Sequence, residues 1–344
     1  MIQVAGKVFQ MYETYREQET GMGSRDRFLR AVIISAYVAV LILLYSTSMN
    51  WIRLSKKGTE NSRLIGASYM TMNNEFYDIL NEQIRVRVEG EGDLMVLRDP
   101  GLDISRQVSQ INSMLSMGIS ALIVTPVTSD GLSDVLDRAR KLGVRIIVVD
   151  TELQDKSQAD CTIVSNNFEA GYMIGQYIME KQSSGRILVL NHESAISSTH
   201  RVSGLKEAIS SNPDYQIVKE ISCQGQYEIA LPLVEEYIQE GGEFDTVFCL
   251  NDLAGEAAVT AIRNHPELKD VRVYGIDGSP DAKSMIQSGE MEATAAQFPT
   301  QIGEAAADTL YRMLDGKEYE SVITLPVDLI NNENLDRFDI HRWQ

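Results

Sequence analysis

The sequence contains few cysteines and few prolines, and each shortage excludes a class of protein. Its three cysteines, Cys161, Cys223 and Cys249, are too few and too scattered for a disulfide framework or a zinc site. Cys249 lies within the apolar run 247–250, which predicts a buried thiol rather than a redox centre. Eight prolines, with 44% hydrophobic and 23% charged residues, are typical of an ordered globular chain and exclude a collagen-like or disordered one.

Basic residues are also scarce, with 31 Lys and Arg against 49 Asp and Glu in 344 residues and a formal net charge of −18. The imbalance lies in residues 58–344, which hold 23 basic and 45 acidic side chains. A surface this acidic repels phosphate backbones, so nucleic acid is not an expected partner. The length predicts about two globular units.

The longest apolar stretch lies near the N-terminus. Residues 31–52 carry no charge, and these 22 residues suffice for a helix across a hydrocarbon core of about 30 Å. Basic residues flank the stretch on both sides, so the positive-inside count does not set its orientation. The pattern predicts an uncleaved transmembrane signal anchor, with a cleaved secretory signal and a buried soluble helix as the alternatives.

After a polar linker, short apolar runs alternate with segments whose apolar residues recur every three to four positions. This alternation predicts an α/β fold, in which parallel sheets carry helices on both faces. About ten strands exceed one comfortable doubly wound sheet and predict two sheets of about five. The predicted strands are Leu64–Ala67, Leu94–Leu97, Ala121–Val124, Val144–Val149, Cys161–Val164, Ile187–Leu190, Ile217–Ile221, Thr246–Leu250, Val271–Ile276 and Ala293–Gln297.

Polar residues stand where several of these strands end. Ligands of doubly wound sheets bind outside the carboxyl ends of the strands, so these residues are candidates for a site. Amides and carboxylates bind hydroxyls, and aromatic rings cover C–H surfaces, a combination that a sugar-like polyol requires. The candidates are Asn73, Asn74, Phe76 and Tyr77 after the first strand, Asp150 and Thr151 after the fourth, Asn251 and Asp252 after the eighth, Asp277 after the ninth and Gln297 at the end of the tenth.

A purely structural role is the alternative for each candidate. Either of the paired asparagines is able to cap the helix that begins near Phe76, and Asp252 is able to cap the helix that follows it, since Asn and Asp are preferred N-caps. Asp277-Gly278 also fits a turn, and the Phe76 ring fits a core. The coincidence of several such residues at the same end of successive strands favours a binding site.

Six segments resemble the type 1 periplasmic binding proteins of the ribose-binding kind, in the family's order and spacing from about Leu64 to Asn332. The resemblance implies two Rossmann-like lobes joined by three crossings, near 165–167, 297–299 and 326–328, that close on a sugar between them. The segments are NNEFYDIL (73–80), IIVVDTE (146–152), SNNFEAG (165–171), VFCLNDLAGEAAV (247–259), VYGIDGSPDA (273–282) and AAQFPTQIG (295–303).

The resemblance also implies roles for individual residues. The family's amides, carboxylates and stacking aromatics fall on Asn74, Phe76, Tyr77, Asp150, Asn251, Asp277 and Gln297. Three positions depart from the ribose-binding pattern: Thr151 replaces an arginine, a second arginine falls near Thr199 with His200 and Arg201 beside it, and the opposing aromatic falls near Gly225. Loss of one or both arginines removes rigid forks for hydroxyls, which argues against ribose itself and leaves a sugar or related polyol. Thr151, Thr199 and Arg201 join the predicted ligand-binding residues.

The apolar stretch and the resemblance together divide the chain into segments. We expect a cytoplasmic segment over 1–30, the transmembrane signal anchor over 31–52 and a linker over 53–63. The protein is then expected in the cell envelope, anchored in the cytoplasmic membrane, with the residues after about 53 outside the cytoplasm. The N-terminal lobe is expected to comprise 64–164 plus 298–326. The C-terminal lobe is expected to comprise 165–297 plus 327–344.

Motifs that indicate an enzyme are missing from the sequence. The four histidines show no HExxH spacing, and there is no GxSxG, no GxxxxGK phosphate loop and no dinucleotide fingerprint after the first strand. We therefore expect no catalysis, no cofactor and no metal site. A repressor with the same two-lobed domain would carry a helix-turn-helix where this chain has its membrane-length stretch.

The expected function is that of a membrane-tethered extracytoplasmic solute-binding protein that delivers a sugar or polyol to an ABC transporter permease. The alternative is a receptor that presents the bound sugar to a two-component histidine kinase. Both uses require a ligand that favours closure of the lobes, so the sequence does not separate them.

Overall fold

A computed structural model describes residues 62–344 of the chain. The predicted transmembrane helix over 31–52, the segment 1–30 and most of the linker lie outside these residues. Within 62–344, no helix combines the length and the apolar character needed to cross a membrane. Residues 63–344 form one compact unit.

Strands and helices alternate along this unit, as the sequence predicts. Short apolar runs with β-branched residues form the strands, and segments with apolar residues every three to four positions form the helices. The elements are β1 (Leu64–Ser68), α1 (Glu75–Gly90), β2 (Leu94–Arg98), α2 (Ile104–Ser116), β3 (Ala121–Val124), α3 (Ser133–Lys141), β4 (Arg145–Val149), β5 (Cys161–Ser165), α4 (Asn167–Lys181), β6 (Gly185–Asn191), α5 (Ile196–Ile209), β7 (Tyr215–Ser222), α6 (Tyr227–Gln239), β8 (Thr246–Cys249), α7 (Asp252–Arg263), β9 (Arg272–Asp277), α8 (Pro280–Ser288), β10 (Ala293–Ala296), α9 (Pro299–Leu314), β11 (Val322–Leu325) and β12 (Asp328–Asn331).

The strands form two six-stranded sheets, one in each lobe. The first sheet has the order β11-β5-β4-β3-β1-β2, and all its strands are parallel. The second has the order β12-β10-β9-β8-β6-β7, with β12 antiparallel to β10. The α/β class and the two lobes are as predicted, whereas the prediction of about five strands per sheet is one short. The additional strands, β11 and β12, stand at the sheet edges.

Helices cover both faces of each sheet, which buries four apolar clusters. In the first lobe, α1 and α9 pack on one face, and α2 and α3 pack on the other. In the second lobe, α4 and α5 cover one face, and α6, α7 and α8 cover the other. All three cysteines are buried free thiols, which confirms the prediction for Cys249.

The chain passes between the lobes three times. The first passage joins β5 to α4, the second joins β10 to α9, and the third joins β11 to β12. Because both sheets point their carboxyl strand ends toward these passages, the loops after the strands of both lobes face a common cleft.

Candidate functional site

A cavity lies between the lobes, at the carboxyl ends of the strands. Both lobes contribute side chains to it, including most of the residues predicted from the sequence. The predicted residues that line it are Asn74, Phe76, Tyr77, Asp150, Arg201, Asn251, Asp277 and Gln297. Thr151 and Thr199 are not among its lining residues.

Asp150 marks the first lobe's side of the cavity. It follows β4 and has a positive φ of 70°, a conformation that costs a non-glycine residue about 1–3 kcal/mol and that clusters at functional sites. The Tyr77 hydroxyl donates a 2.8 Å hydrogen bond to Asp150 Oδ2. The Tyr77 ring stacks on Tyr69, with centroids 5.6 Å apart. Tyr77 therefore orients the carboxylate from the core side.

Asp277 marks the second lobe's side. It ends β9 with a φ of 143°, and its Oδ1 accepts a 2.7 Å hydrogen bond from Gln297 Nε2. Gln297 lies just past β10 and is 2% exposed. Its Oε1 is buried without a hydrogen-bond partner, which is costly unless a ligand or water supplies a donor. The pair therefore offers acceptors to a hydroxyl-bearing ligand.

Arg201 is the cationic residue that lines the cavity. Its Nε donates to Asn167 Oδ1 at 2.8 Å, and its Nη1 donates to the Leu250 carbonyl at 2.6 Å. These two bonds fix the guanidinium 3.9 Å from Asp277 Oδ1. The helix that carries it packs closely, because a Cβ on Gly171 would lie 1.8 Å from the Arg201 carbonyl oxygen.

Burial dominates the electrostatics of the two carboxylates. It raises the pKa of Asp277 well above its ordinary value, and Arg201 opposes that shift. Burial likewise raises the pKa of Asp150, against the influence of Arg201 and of the Tyr77 hydroxyl. Two carboxylates facing one guanidinium in a desolvated space favour a ligand that donates several hydrogen bonds to them.

Asn74 has the capping role that stood as its alternative, whereas the cap of α7 is Asn251 and not Asp252, the residue expected to cap it. Asn74 Oδ1 accepts from the Phe76 amide at 2.9 Å and caps α1. Asn251 Oδ1 accepts from the Ala254 amide at 3.0 Å and caps α7, while its Nδ2 donates to the Gly225 carbonyl at 2.9 Å. Both still line the cavity. The Asn251 amide is therefore held by protein atoms at both ends.

Asp252, the other capping candidate, is the first residue of α7 rather than its cap. It is 1% exposed, and its two oxygens accept hydrogen bonds of 2.7 Å from the Ser279 amide and the Thr294 hydroxyl. These bonds tie α7 to the loop after β9. Asp252 therefore supports the strand end that presents Asp277.

The aromatic residues come from one side. Phe76 and Tyr77, at the start of α1, meet edge to face with centroids 5.5 Å apart. The second lobe presents Gly225, with a φ of 66°, where a Cβ would lie 2.9 Å from Asn251 Nδ2. Gln226 follows it in the lining. The position that an opposing aromatic would take is therefore occupied by glycine and an amide.

Two predicted residues lie away from the cavity. Thr199 is exposed, and its hydroxyl donates to the Ile196 carbonyl at 2.9 Å. It stands two positions before Arg201 on α5, and since each helical residue turns about 100°, the two side chains point in different directions. Thr151 is 1% exposed and lies in the contact between the lobes.

Hydrogen bonds around the rim join the two lobes. Thr151 Oγ1 accepts from the Ser197 amide at 2.9 Å. Asn73 Nδ2 donates to Gln226 Oε1 at 3.2 Å and to Glu228 Oε1 at 2.9 Å. These contacts describe the closed form of a two-lobed molecule, in which the cavity is bounded by both sheets.

His192 lines the cavity without having been predicted. Burial lowers its pKa, so the imidazole is neutral near pH 7 and offers both a donor and an acceptor. Its Nε2 lies 3.0 Å from Ser194 Oγ. Its position directly after β6 could have identified it, because the rule that polar residues at the carboxyl ends of strands are candidates for the site applies to β6 as well.

The titratable residues do not form a metal centre in the part of the chain that the structure covers. No group of three or more His, Cys, Asp or Glu side chains within 62–344 is arranged to hold a metal ion. The arrangement is chemically a hydrogen-bonding cavity with one aromatic wall.

Two lobes closed on a polar cavity at their strand ends define the class of two-domain binding proteins. The sequence model of the periplasmic binding protein domain matches residues 65–318. The chain belongs to the periplasmic binding protein domain family, which confirms the resemblance to type 1 periplasmic binding proteins.

Individual relatives agree with this assignment. The ribose import binding protein of Bacillus subtilis strain 168 is 28% identical over 294 residues, covering 84% of this chain and 95% of that protein. A solute-binding protein of an ABC transporter from Mycobacterium smegmatis, solved with glycerol, has a TM-score of 0.76 at 22% identity. The match covers 80% of this chain and 96% of the solved chain.

A Caulobacter myo-inositol binding protein, solved with myo-inositol, has a TM-score of 0.74 at 22% identity, covering 80% of this chain and 95% of its own. At this identity the two solved structures establish the fold. The relatives named here are solute-binding proteins rather than enzymes.

Proposed function

We propose that the protein is an extracytoplasmic solute-binding protein, tethered to the membrane by residues 31–52, that binds a sugar or sugar-like polyol and delivers it to an ABC transporter permease. The observation that carries the proposal is the cavity itself. Asp150 and Asp277 line it from opposite lobes, and Gln297, which also lines it, has a buried Oε1 without a hydrogen-bond partner. A polyol supplies hydroxyl donors to each of them.

The closed form gives the mechanism of capture. A ligand that contacts Asp150 from one lobe and Asp277 from the other makes its full set of contacts only when the lobes meet. Such a ligand binds the closed form more tightly than the open form and shifts the population toward it. The permease then distinguishes loaded from empty protein because the lobes are closed in the loaded form and open in the empty one.

Neighbouring side chains complete the proposed contacts. The Phe76 ring covers a C–H face of the ligand, and Arg201 and neutral His192 donate to its oxygens. Asn74, whose Oδ1 caps α1, lines the cavity and offers its Nδ2 as a further donor. The ribose import relative and the myo-inositol binding structure support the ligand class, and Gly225 stands where the resemblance implies an opposing aromatic.

A thermal-shift screen tests the ligand class. Full-length protein is heated with D-ribose, D-allose, xylitol, glycerol and myo-inositol, and in parallel with amino acids and nucleosides. A ligand at 100 times its Kd stabilises the native state by about 2.7 kcal/mol. A rise in the unfolding temperature with one or more of these compounds supports the proposal. A rise only with amino acids or nucleosides would retain the fold and contradict the polyol class.

Membrane tethering is tested separately. Leu41→Arg places a charge near the centre of the apolar stretch, at a cost of about 2.5–3.5 kcal/mol on insertion scales. Leu142→Arg is the matched control, because Leu142 is exposed in the described unit. We expect the parent and the control to remain with washed membranes and Leu41→Arg to be released. Equal retention of all three would contradict the tether.

A further inference from the structure

The last residues of the chain contact residues of the candidate site without lining the cavity themselves. After β12 the tail passes through a short turn at Leu335–Arg337 and then runs toward Lys283 on α8. Lys283 is fully buried, and its Nζ donates to the Asp339 carbonyl at 2.7 Å, to the Arg342 carbonyl and to Gln344 Oε1 at 3.2 Å. A buried ammonium requires acceptors, and within the described chain the tail supplies these three.

Gln344 connects the tail to the ligand-facing strand ends. Its Nε2 donates to the Asp277 carbonyl at 2.9 Å and to the Gln297 carbonyl at 2.8 Å. The approach is close enough that a Cβ on Gly278 would lie 2.4 Å from that Nε2. The side chains of Asp277 and Gln297 pair inside the cavity, so one amide holds the backbone of both.

Trp343 connects the same tail to the other lobe. Its Nε1 donates to Glu75 Oε2 at 2.9 Å, and its ring meets the Phe76 ring edge to face at 5.9 Å. Glu75 and Phe76 begin α1 in the first lobe, and Phe76 lines the cavity. Adjacent tail residues therefore contact cavity residues from opposite lobes.

We propose that Trp343 and Gln344 are positioning residues of the binding site, and that the tail over 339–344 is a strap that favours the closed form. The proposal rests on the proposed function for its effect on a polyol, but its effect on lobe closure is independent of any ligand. Gln344 fixes the Asp277–Gln297 pair, and Trp343 fixes the Phe76 ring. A site held in its bound geometry loses less freedom on binding.

Two variants and one control separate this role from general damage. Trp343→Ala removes the ring and its N–H, whereas Trp343→Phe retains a ring and loses the hydrogen bond to Glu75. Arg342→Ala is the control, because that side chain is 83% exposed and pairs with Asp339 in the same tail. Unfolding temperatures of all proteins establish that each variant is folded.

The first measurement reports closure without ligand. Cysteines introduced at exposed Lys141 and Glu240, one in each lobe, carry spin labels, since the natural cysteines are buried. We expect double electron–electron resonance on the full-length protein to give a longer mean distance in Trp343→Ala than in the parent, with Arg342→Ala unchanged and Trp343→Phe between them. Identical distance distributions in the parent and Trp343→Ala would overturn the strap.

The second measurement reports the binding site. The sequence has two tryptophans, so Trp51→Phe leaves Trp343 as a single fluorescent reporter. Titration with myo-inositol, xylitol and D-ribose is expected to change its emission, and Trp343→Ala is expected to weaken binding about fivefold to tenfold by calorimetry. Equal affinity in Trp343→Ala would overturn the positioning role. A parent that binds none of these probes would contradict the proposed function and leave the distance measurement to decide the strap.

Discussion

Asp277→Asn is the substitution for which the structure predicts opposite effects on binding and on stability. The asparagine retains an Oδ1 that accepts from Gln297 Nε2, so the 2.7 Å bond inside the protein is kept. What is lost is the negative charge and the second carboxylate oxygen. A hydrogen bond to a charged group contributes about 1.5–3 kcal/mol, so we expect polyol affinity to fall by roughly 10-fold to 150-fold.

The same substitution is expected to stabilise the protein without ligand. Burial raises the pKa of Asp277 in the folded state, so the folded form binds its proton more tightly than the unfolded form does. Stability from this group is therefore present at low pH and is lost as the pH rises from the ordinary carboxyl range through the raised value. The neutral amide of the Asp277→Asn variant does not ionise, so the variant does not lose stability as the pH rises. Its excess stability over the parent is therefore largest above the raised pKa of Asp277.

Calorimetric titration and thermal unfolding between pH 4 and pH 8 measure the two effects. Asp281→Asn is the matched control, since Asp281 is an exposed acid at the start of the neighbouring helix. We expect the control to behave as the parent in both assays. Unchanged affinity in Asp277→Asn would remove this carboxylate from the site, and a uniform loss of stability at every pH would refute the electrostatic reasoning.

Three further predictions concern packing, pH and closure. Gly171→Ala is expected to lower the free energy of unfolding by about 3 kcal/mol in denaturant, because its Cβ would lie 1.8 Å from a backbone oxygen. Gly90→Ala, with open space around the new Cβ, is expected to be neutral. Equal effects of the two substitutions would contradict the packing argument. Hydrogen bonds to two glutamates raise the pKa of His265. The parent should therefore be more stable than His265→Gln below pH 6.5, and this difference should vanish as the pH rises through the raised pKa. A stability difference that does not depend on pH would contradict this assignment. Thr151→Val removes the hydroxyl that accepts from the Ser197 amide across the lobes. Stopped-flow measurement should then show a ligand dissociation rate about threefold to tenfold higher than in the parent. An unchanged dissociation rate would show that this contact does not stabilise the closed form.

Much of the fold follows from hydrophobic periodicity. All ten predicted strands are present, because buried parallel strands appear as short, nearly continuous apolar runs. The two missed strands, β11 and β12, have four residues each and lie at sheet edges, where half-exposed positions break the run. These two short edge strands lack the continuous apolar run that identified the other ten, which include the opposite edge strands β2 and β7.

The site was predictable in its location and less so in its details. The strand-end rule found Asp150, Asp277 and Gln297, but the choice between Thr199 and Arg201 depends on the rotation of α5, which spacing relative to a family pattern does not give. Asn74 and Asn251 are at once helix caps and cavity residues, so capping a helix and lining the cavity are not exclusive roles.

The contribution of the tail depends on tertiary contacts alone. Residues 333–344 carry no recognisable motif, and their partners Lys283 and Glu75 lie 56 and 268 positions away from the tail residues they bind. Local propensity contains no information about such pairs. A single tryptophan in a polar tail was the available hint, since so large an apolar ring usually finds a contact.

The most direct test of the central claim is calorimetric titration of the full-length protein with the polyol that gives the largest thermal shift. We predict one ligand per chain, and we predict that the Asp150→Asn, Asp277→Asn double variant binds at least 100-fold more weakly while remaining folded, because it removes an acceptor from each lobe. Binding of equal strength to the double variant, or no binding of any polyol to the parent, would contradict the account.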